Sequence, residues 1–164
     1  MTKITEVALK CAIQQVAHMD QNAKEAVCDE IFSEQPNLLA SVLALTKWDI
    51  SPLYVEVALE ALMVTHVALR DSGERLRMIT EAEQERELRR LTASVRFTEG
   101  LASGLADESI KQYIGFREEP WLFAYIVALL RDNGVLESAN ENSKYVVLAA
   151  LNVVGCVANA QRAA

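Results

Sequence analysis

Residues 145–158, YVVLAALNVVGCVA, hold one polar residue, Asn152, in fourteen positions. A helix that is apolar on every side has no face to give to water, so other helices must cover it all round. A second stretch, residues 53–69, is apolar apart from Glu56, Glu60, Thr65 and His66. Two such rods in one chain predict a helical bundle assembled around them. A membrane span is the rival reading, and it asks for about 20 apolar residues in a row. The run at 145–158 is shorter and is flanked by Lys144 and a polar tail, so a core helix is expected.

The two rods also stand at equivalent places in a recurring pattern. FSEQPNLLASVLAL (32–45) and FREEPWLFAYIVAL (116–129) share seven residues in fourteen at an offset of 84, among them Glu34 with Glu118 and Pro36 with Pro120. Five residues of extra loop then set VALEALMV (57–64) against VVLAALNV (146–153). Ala- and Leu-rich amphipathic helices align readily by composition alone. The order of helix lengths repeats as well, and the expectation is an internal duplication of a four-helix unit. Its pseudo-repeats span approximately 4–72 and 80–162, inside one domain covering 1–164, with pseudo-twofold packing through residues 53–69 and 142–161.

Start and stop signals cut the chain into about eight helices, an all-α fold. The first runs over about 4–19, and a short one runs from Asn22 to about Ser33. Pro36 opens a third, reaching about 47, because the first helical position tolerates a missing N–H. Ser51-Pro52 starts another, which Gly73 ends at about Ser72. Thr80 and Glu83 have the spacing of a capping box for a long helix to about 103, whose early acids and late arginines suit the helix dipole and place Glu85 four residues before Arg89. Asp107 is expected to cap a helix to about Ile114. Glu119-Pro120 opens one that ends at Asn133-Gly134, and the last covers about 142–161. Twenty-three alanines against six glycines and three prolines favour the same reading, since Ala is the best helix former.

A formal net charge of −7 argues against nucleic acid and against anionic membranes, both of which need clustered Lys and Arg. The first residues, MTKITEVALKCAIQQ, lack the apolar core region of an export signal, so a cytoplasmic location is expected. Cys11, Cys28 and Cys156 show none of the close pairs used by zinc or redox motifs, and free thiols are expected. Neither His18 nor His66 has Glu three residues before it, which leaves no metal site and no cofactor in the expectation.

Chemistry-bearing candidates are few. His66 falls on the stripe Val55, Leu59, Leu62, His66, Leu69 and points inward, as a satisfied core histidine or as a group facing a cavity. Glu34 and Glu118 recur two residues before a helix-starting proline, as groups favouring the helix start or as an acid and base pair. Seven arginines between Arg70 and Arg96 face six acids, a salt-bridged surface in which Arg75 and Arg77 can form an anion or partner site. Trp48 and Trp121 are core anchors or, if exposed, interaction hot spots.

With no convergent catalytic set, the expected function is a non-catalytic helical module that binds a protein partner or forms a homodimer. The alternative is a receptor for a small apolar ligand between the two units, lined by Leu62, His66, Val153 and Cys156. A small cytoplasmic enzyme using Glu34, Glu118 and His66 ranks third.

Overall fold

The computed structural model describes residues 4–99, 118–138 and 140–160. Among these residues the chain is all-helical, with seven α-helices: α1 Glu6–His18, α2 Gln21–Glu34, α3 Pro36–Leu43, α4 Pro52–Asp71, α5 Glu81–Glu99, α6 Pro120–Asp132 and α7 Ser143–Asn159. A 3-10 turn, Ala44–Lys47, continues α3. The helix expected at 107–114, with its Asp107 cap, and Phe116 of the recurring stretch lie outside the described residues.

Local signals place most boundaries. Pro36, Pro52 and Pro120 each stand in the first turn of their helix, where the absent N–H costs nothing. Gly73 and Gly134 end α4 and α6 in the left-handed region, at φ +71° and +75°. Behind each glycine the next N–H reaches back five residues, Glu74 to the Leu69 carbonyl and Val135 to the Leu130 carbonyl, at 3.0 and 2.9 Å. That pattern satisfies carbonyls the helix end would otherwise leave open. Thr80 and Glu83 form the capping box: the Glu83 N–H donates to Thr80 Oγ1 at 3.2 Å while the Glu83 carboxylate accepts the Thr80 N–H at 2.7 Å. These bonds from Thr80 hold the Glu83 carboxyl below its usual range. Arg89 meets Glu85 at 2.6 Å, the expected spacing of four. The second helix begins at Gln21 instead of Asn22, because Asp20 accepts the Ala23 N–H at 2.8 Å and is the better-placed cap. Ser51 holds the cap position of α4 without a side-chain capping bond.

The two apolar rods are α4 and α7, and they pack against each other at the centre. Around them α1 lies on α4 and α5 on α7, while α3 lies on α4 and α6 on α7. Val57, Leu62, Val64, Val67, Val146, Val153 and Val157 are buried along the two rods. Each such side chain removed from water contributes about 1.5–3 kcal/mol before entropy is counted. By length and composition α4 is apolar enough to cross a membrane, and 56% of that apolar window is buried inside the bundle.

Two helix starts, one near the beginning of the sequence and one near its middle, are tied down in the same way. Ile4-Thr5-Glu6 leads into α1 and Ile79-Thr80-Glu81 into α5, with both isoleucines buried. Thr5 Oγ1 caps α1 by accepting the Ala8 N–H at 3.1 Å, the bond Thr80 makes to Glu83. Ahead of each threonine, the isoleucine N–H donates to a buried side chain standing just before a helix-starting proline. Gln35 Oε1 takes Ile79 N–H at 2.9 Å, and Glu119 Oε2 takes Ile4 N–H at 3.0 Å. Gln35 also donates from Nε2 to the Arg77 carbonyl at 3.0 Å. The Gln35 clamp spans 44 residues of sequence and the Glu119 clamp 115.

Candidate functional site

An open groove of about 950 Å³ has α7 as its floor. One wall is the end of α3 with its 3-10 turn, the other is α5, and the loop after α6 closes one end. Its depth follows from small side chains, Ser41 and Ala44 on one wall and Ala149 on the floor. At the mouth the Trp48 and Tyr145 rings stack with centroids 4.7 Å apart and planes 22° from parallel. Lys144 Nζ sits 5.5 Å from the Tyr145 centroid on this rim. Trp48 is 51% exposed, Leu136 45% and Leu88 37%, so three large apolar side chains of the groove meet solvent.

Hydrogen bonds fix this rim. Asn140 and Asn142 both donate from Nδ2 to the Asp49 carbonyl, at 3.1 and 3.4 Å, tying the loop before α7 to the residue after Trp48. Asn142 N–H donates to Asn140 Oδ1 at 2.9 Å and Ser143 Oγ meets Ser138 Oγ at 2.8 Å. On the far side Gln84 Nε2 donates to the Asn37 carbonyl at 3.0 Å, joining α5 to α3. A surface held in this way needs little ordering when something docks.

A second, smaller cleft of about 240 Å³ lies where the end of α2 meets the segment after α4. Glu34, His66, Arg70 and Arg75 line it together, so three of the sequence candidates do come into one place. The polar network beside it is closed on itself. His66 Nε2 meets Glu30 Oε2 at 2.9 Å, and Arg70 Nη1 meets the same oxygen at 3.0 Å. Arg70 Nε also donates to Asp71 at 3.1 Å, and Gln15 Nε2 donates to Asp71 at 2.6 Å. The His66 hydrogen bond, with Arg70 beside it, holds the Glu30 carboxyl below its usual range against the opposing effect of burial. The Gln15 bond does the same for Asp71. With its ring nitrogen on Glu30, His66 ties α4 to α2.

The other expected residues are dispersed. Leu62 and Val153 are packed in the core, and Cys156 is buried with its thiol pushed up to about 12, chiefly by burial. None of these three lines either cleft described here, and His66 opens to the smaller one. Glu118 is exposed, as is Glu34. Arg77 is exposed on its side chain and contributes its carbonyl to Gln35. Both tryptophans are exposed, Trp121 at 45%, so the core-anchor reading gives way to the surface one. They do not meet: Trp48 lines the groove, and Trp121 lines neither cleft.

Several important residues were not singled out from the sequence. Gln35 and Glu119 stand one residue closer to proline than Glu34 and Glu118; Glu119 is legible as a helix start, but the bonds of the two side chains to Ile79 and Ile4 are not. The proline itself was the available signal, since the residue before a first helical position is its cap. Leu88 sits on the charged helix 80–103, Leu136 in the polar stretch VLESANENSK and Tyr145 at the start of the all-apolar rod, so none of the three stands out in the sequence. Among the described residues no three His, Cys, Asp or Glu side chains gather into a group able to hold a metal ion. The chain matches no family model, no curated protein and no solved structure.

Proposed function

We propose that this chain is a non-catalytic helical protein-interaction module, made of two related helical units, whose docking face is the groove between the end of α3, α5 and α7. The observation that carries the reading is the half-exposed Trp48–Tyr145 stack at the mouth of a groove whose rim is fixed by Asn140 and Asn142. Aromatic side chains supply large contact area at little entropy cost and dominate interaction hot spots. The occupant is an amphipathic helical segment of another protein carrying basic residues beside its apolar face. Charge selects this partner over a second copy. Two chains of formal charge −7 repel, whereas a cationic segment is drawn in.

Support for the two-unit origin is the correspondence of packing partners. The pair α1 with α4 maps onto α5 with α7, and α3 with α4 maps onto α6 with α7. The reciprocal clamps of Gln35 on Ile79 and Glu119 on Ile4 fit the same scheme. Residues placed at equivalent ends of two fused copies would hold each other's first helix in this manner. A cytoplasmic setting accords with free Cys11, Cys28 and Cys156.

Selection from a displayed library of amphipathic helical peptides tests the docking reading. Enriched peptides are expected to carry net positive charge, to lose at least tenfold in affinity on Trp48→Ala, and to be unaffected by Trp121→Ala. Failure to enrich any peptide, or equal loss on both variants, rejects the reading. Saturable binding of a small apolar molecule in the groove, without peptide binding, favours the receptor alternative. A stable dimer in sedimentation that Trp48→Ala dissolves makes the second copy the occupant.

A further inference from the structure

If the chain is two related units, the groove corresponds to the place of Tyr125 and Glu60, and the comparison says what shape it lacks. This inference rests on the two-unit reading above. At the offset of 84, Ser41 corresponds to Tyr125, and in the alignment of 57–64 with 146–153, Ala149 corresponds to Glu60. Tyr125 packs against the core with its ring, and its hydroxyl is buried without a hydrogen-bond partner among the described residues. Burial, with the nearby Glu60 carboxylate, pushes that hydroxyl well above its ordinary pKa. In the groove, Ser41 turns its own hydroxyl back to the Leu38 carbonyl at 2.7 Å and takes up almost no space. Ala149 likewise leaves the floor low. Where the alignment puts a phenol ring and a carboxylate arm, the groove has a hydroxymethyl and a methyl.

Further along the same wall, Leu88 corresponds to Ile13 when Ile79-Thr80-Glu81 is set on Ile4-Thr5-Glu6. Ile13 packs against the core, whereas Leu88 is 37% exposed and lines the groove. The loss of cover at Leu88 coincides with the loss of bulk at Ser41 and Ala149. Beside them stands an aromatic surface, the Trp48–Tyr145 stack, whose geometry suits an added ring in an offset or edge-on arrangement.

We propose that the groove accepts an aromatic side chain of the docking partner, seated between Ser41 and Ala149 against the Trp48–Tyr145 wall, in the place Tyr125 fills for the other half. Basic residues flank this anchor on the partner, drawn by the chain's net charge of −7.

p-Cresol, the tyrosine side chain in isolation, is the probe. Titrated into the 15N-labelled full chain, it is expected to give saturable shifts at the Trp48 indole N–H and at the Ser41 and Ala149 amides. Refilling the groove by Ser41→Tyr is expected to weaken these shifts at least tenfold while circular dichroism and melting temperature stay near wild type. Ala149→Leu, which raises the floor from the helix, serves the same purpose if the first variant does not fold. Shifts that are absent from these three positions, or that persist unchanged in the refilled chain, overturn the proposal. Selected peptides that bind the groove without any aromatic residue overturn the anchor and leave the docking reading standing. Binding of p-cresol with no peptide binding overturns the partner chain as the source of the ring, and with it the docking reading.

Discussion

The Glu119 carboxylate, fully buried, accepts the backbone N–H of Ile4 at 3.0 Å across 115 residues of sequence. Glu119 holds a left-handed backbone, φ +64° and ψ +51°, which costs a residue with a Cβ about 1–2 kcal/mol. A strained, buried acid persists only where its surroundings gain more than it loses. Here the gain is the start of α1, whose buried Ile4 N–H has a partner.

Glu119→Ala removes that acceptor and is expected to destabilise the chain by about 1–3 kcal/mol. Glu119→Gln keeps a side-chain oxygen at the same reach and is expected to cost less than half as much. Urea titrations read both. Gln35→Ala, which strips the Ile79 N–H and Arg77 carbonyl of their partner, should cost about as much as Glu119→Ala. Equal losses for the glutamine and alanine variants at 119 would reject the acceptor role.

Near its C-terminal end α7 holds a close approach at a glycine. A Cβ on Gly155 would lie 2.3 Å from Glu87 Oε1, and Glu87 is buried and fixed by Asn159 Nδ2 at 3.0 Å. Gly155→Ala is therefore expected to destabilise by about 1–3 kcal/mol through overpacking. In a Glu87→Ala background the clash is gone, and the same change should stabilise by up to about 1 kcal/mol through helix propensity. Chemical denaturation of the four chains measures it. A glycine change of the same sign and size in both backgrounds would mean that α5 does not press on α7 through this pair.

Low pH acts on the network joining α4 to α1 and α2. Glu30 and Asp71 have carboxyl groups held below their unfolded values, so their contribution is present above those values and is lost as pH falls through the lower folded ones. Stability is expected to decline below the unfolded Glu value of 4.5. Glu30→Gln should flatten that decline, and a variant with an unchanged acid limb would reject the assignment. Melting temperature against pH provides the profile.

Thiol reactivity should separate the three cysteines. Burial raises Cys28 and pushes Cys156 up to about 12, while Cys11 is exposed. An aromatic disulfide reagent is expected to label Cys11 first, Cys28 more slowly, and Cys156 only on unfolding. Rapid labelling of native Cys156, followed by mass spectrometry, would contradict its placement in the core.

Legibility of the fold tracked local chemistry. Pro36, Pro52, Pro120, Gly73, Gly134 and the Thr80–Glu83 box carry their geometry in their own backbone, and the helices begin and end beside them. The partnership of α4 with α7 was readable because a helix apolar all round leaves no other arrangement. Long-range pairings were not. Glu119 with Ile4 and Glu87 with Gly155 depend on which faces meet, and nothing at either residue announces its partner. His66 lies on the apolar stripe of α4, yet its direction toward Glu30 on α2 and away from Cys156 is decided by packing between helices. The groove was hidden for the opposite reason: small residues, Ser41, Ala44 and Ala149, stand among its lining, and missing bulk leaves no motif.

The most direct test of the account is an NMR map of a selected basic amphipathic peptide bound to the full 15N-labelled chain. The largest shifts are expected at Trp48, Leu88, Leu136 and Tyr145, with Trp121 and the His66–Glu30 network unmoved. Shifts centred on Trp121 or on the His66 cleft, with the Trp48–Tyr145 rim silent, would contradict it.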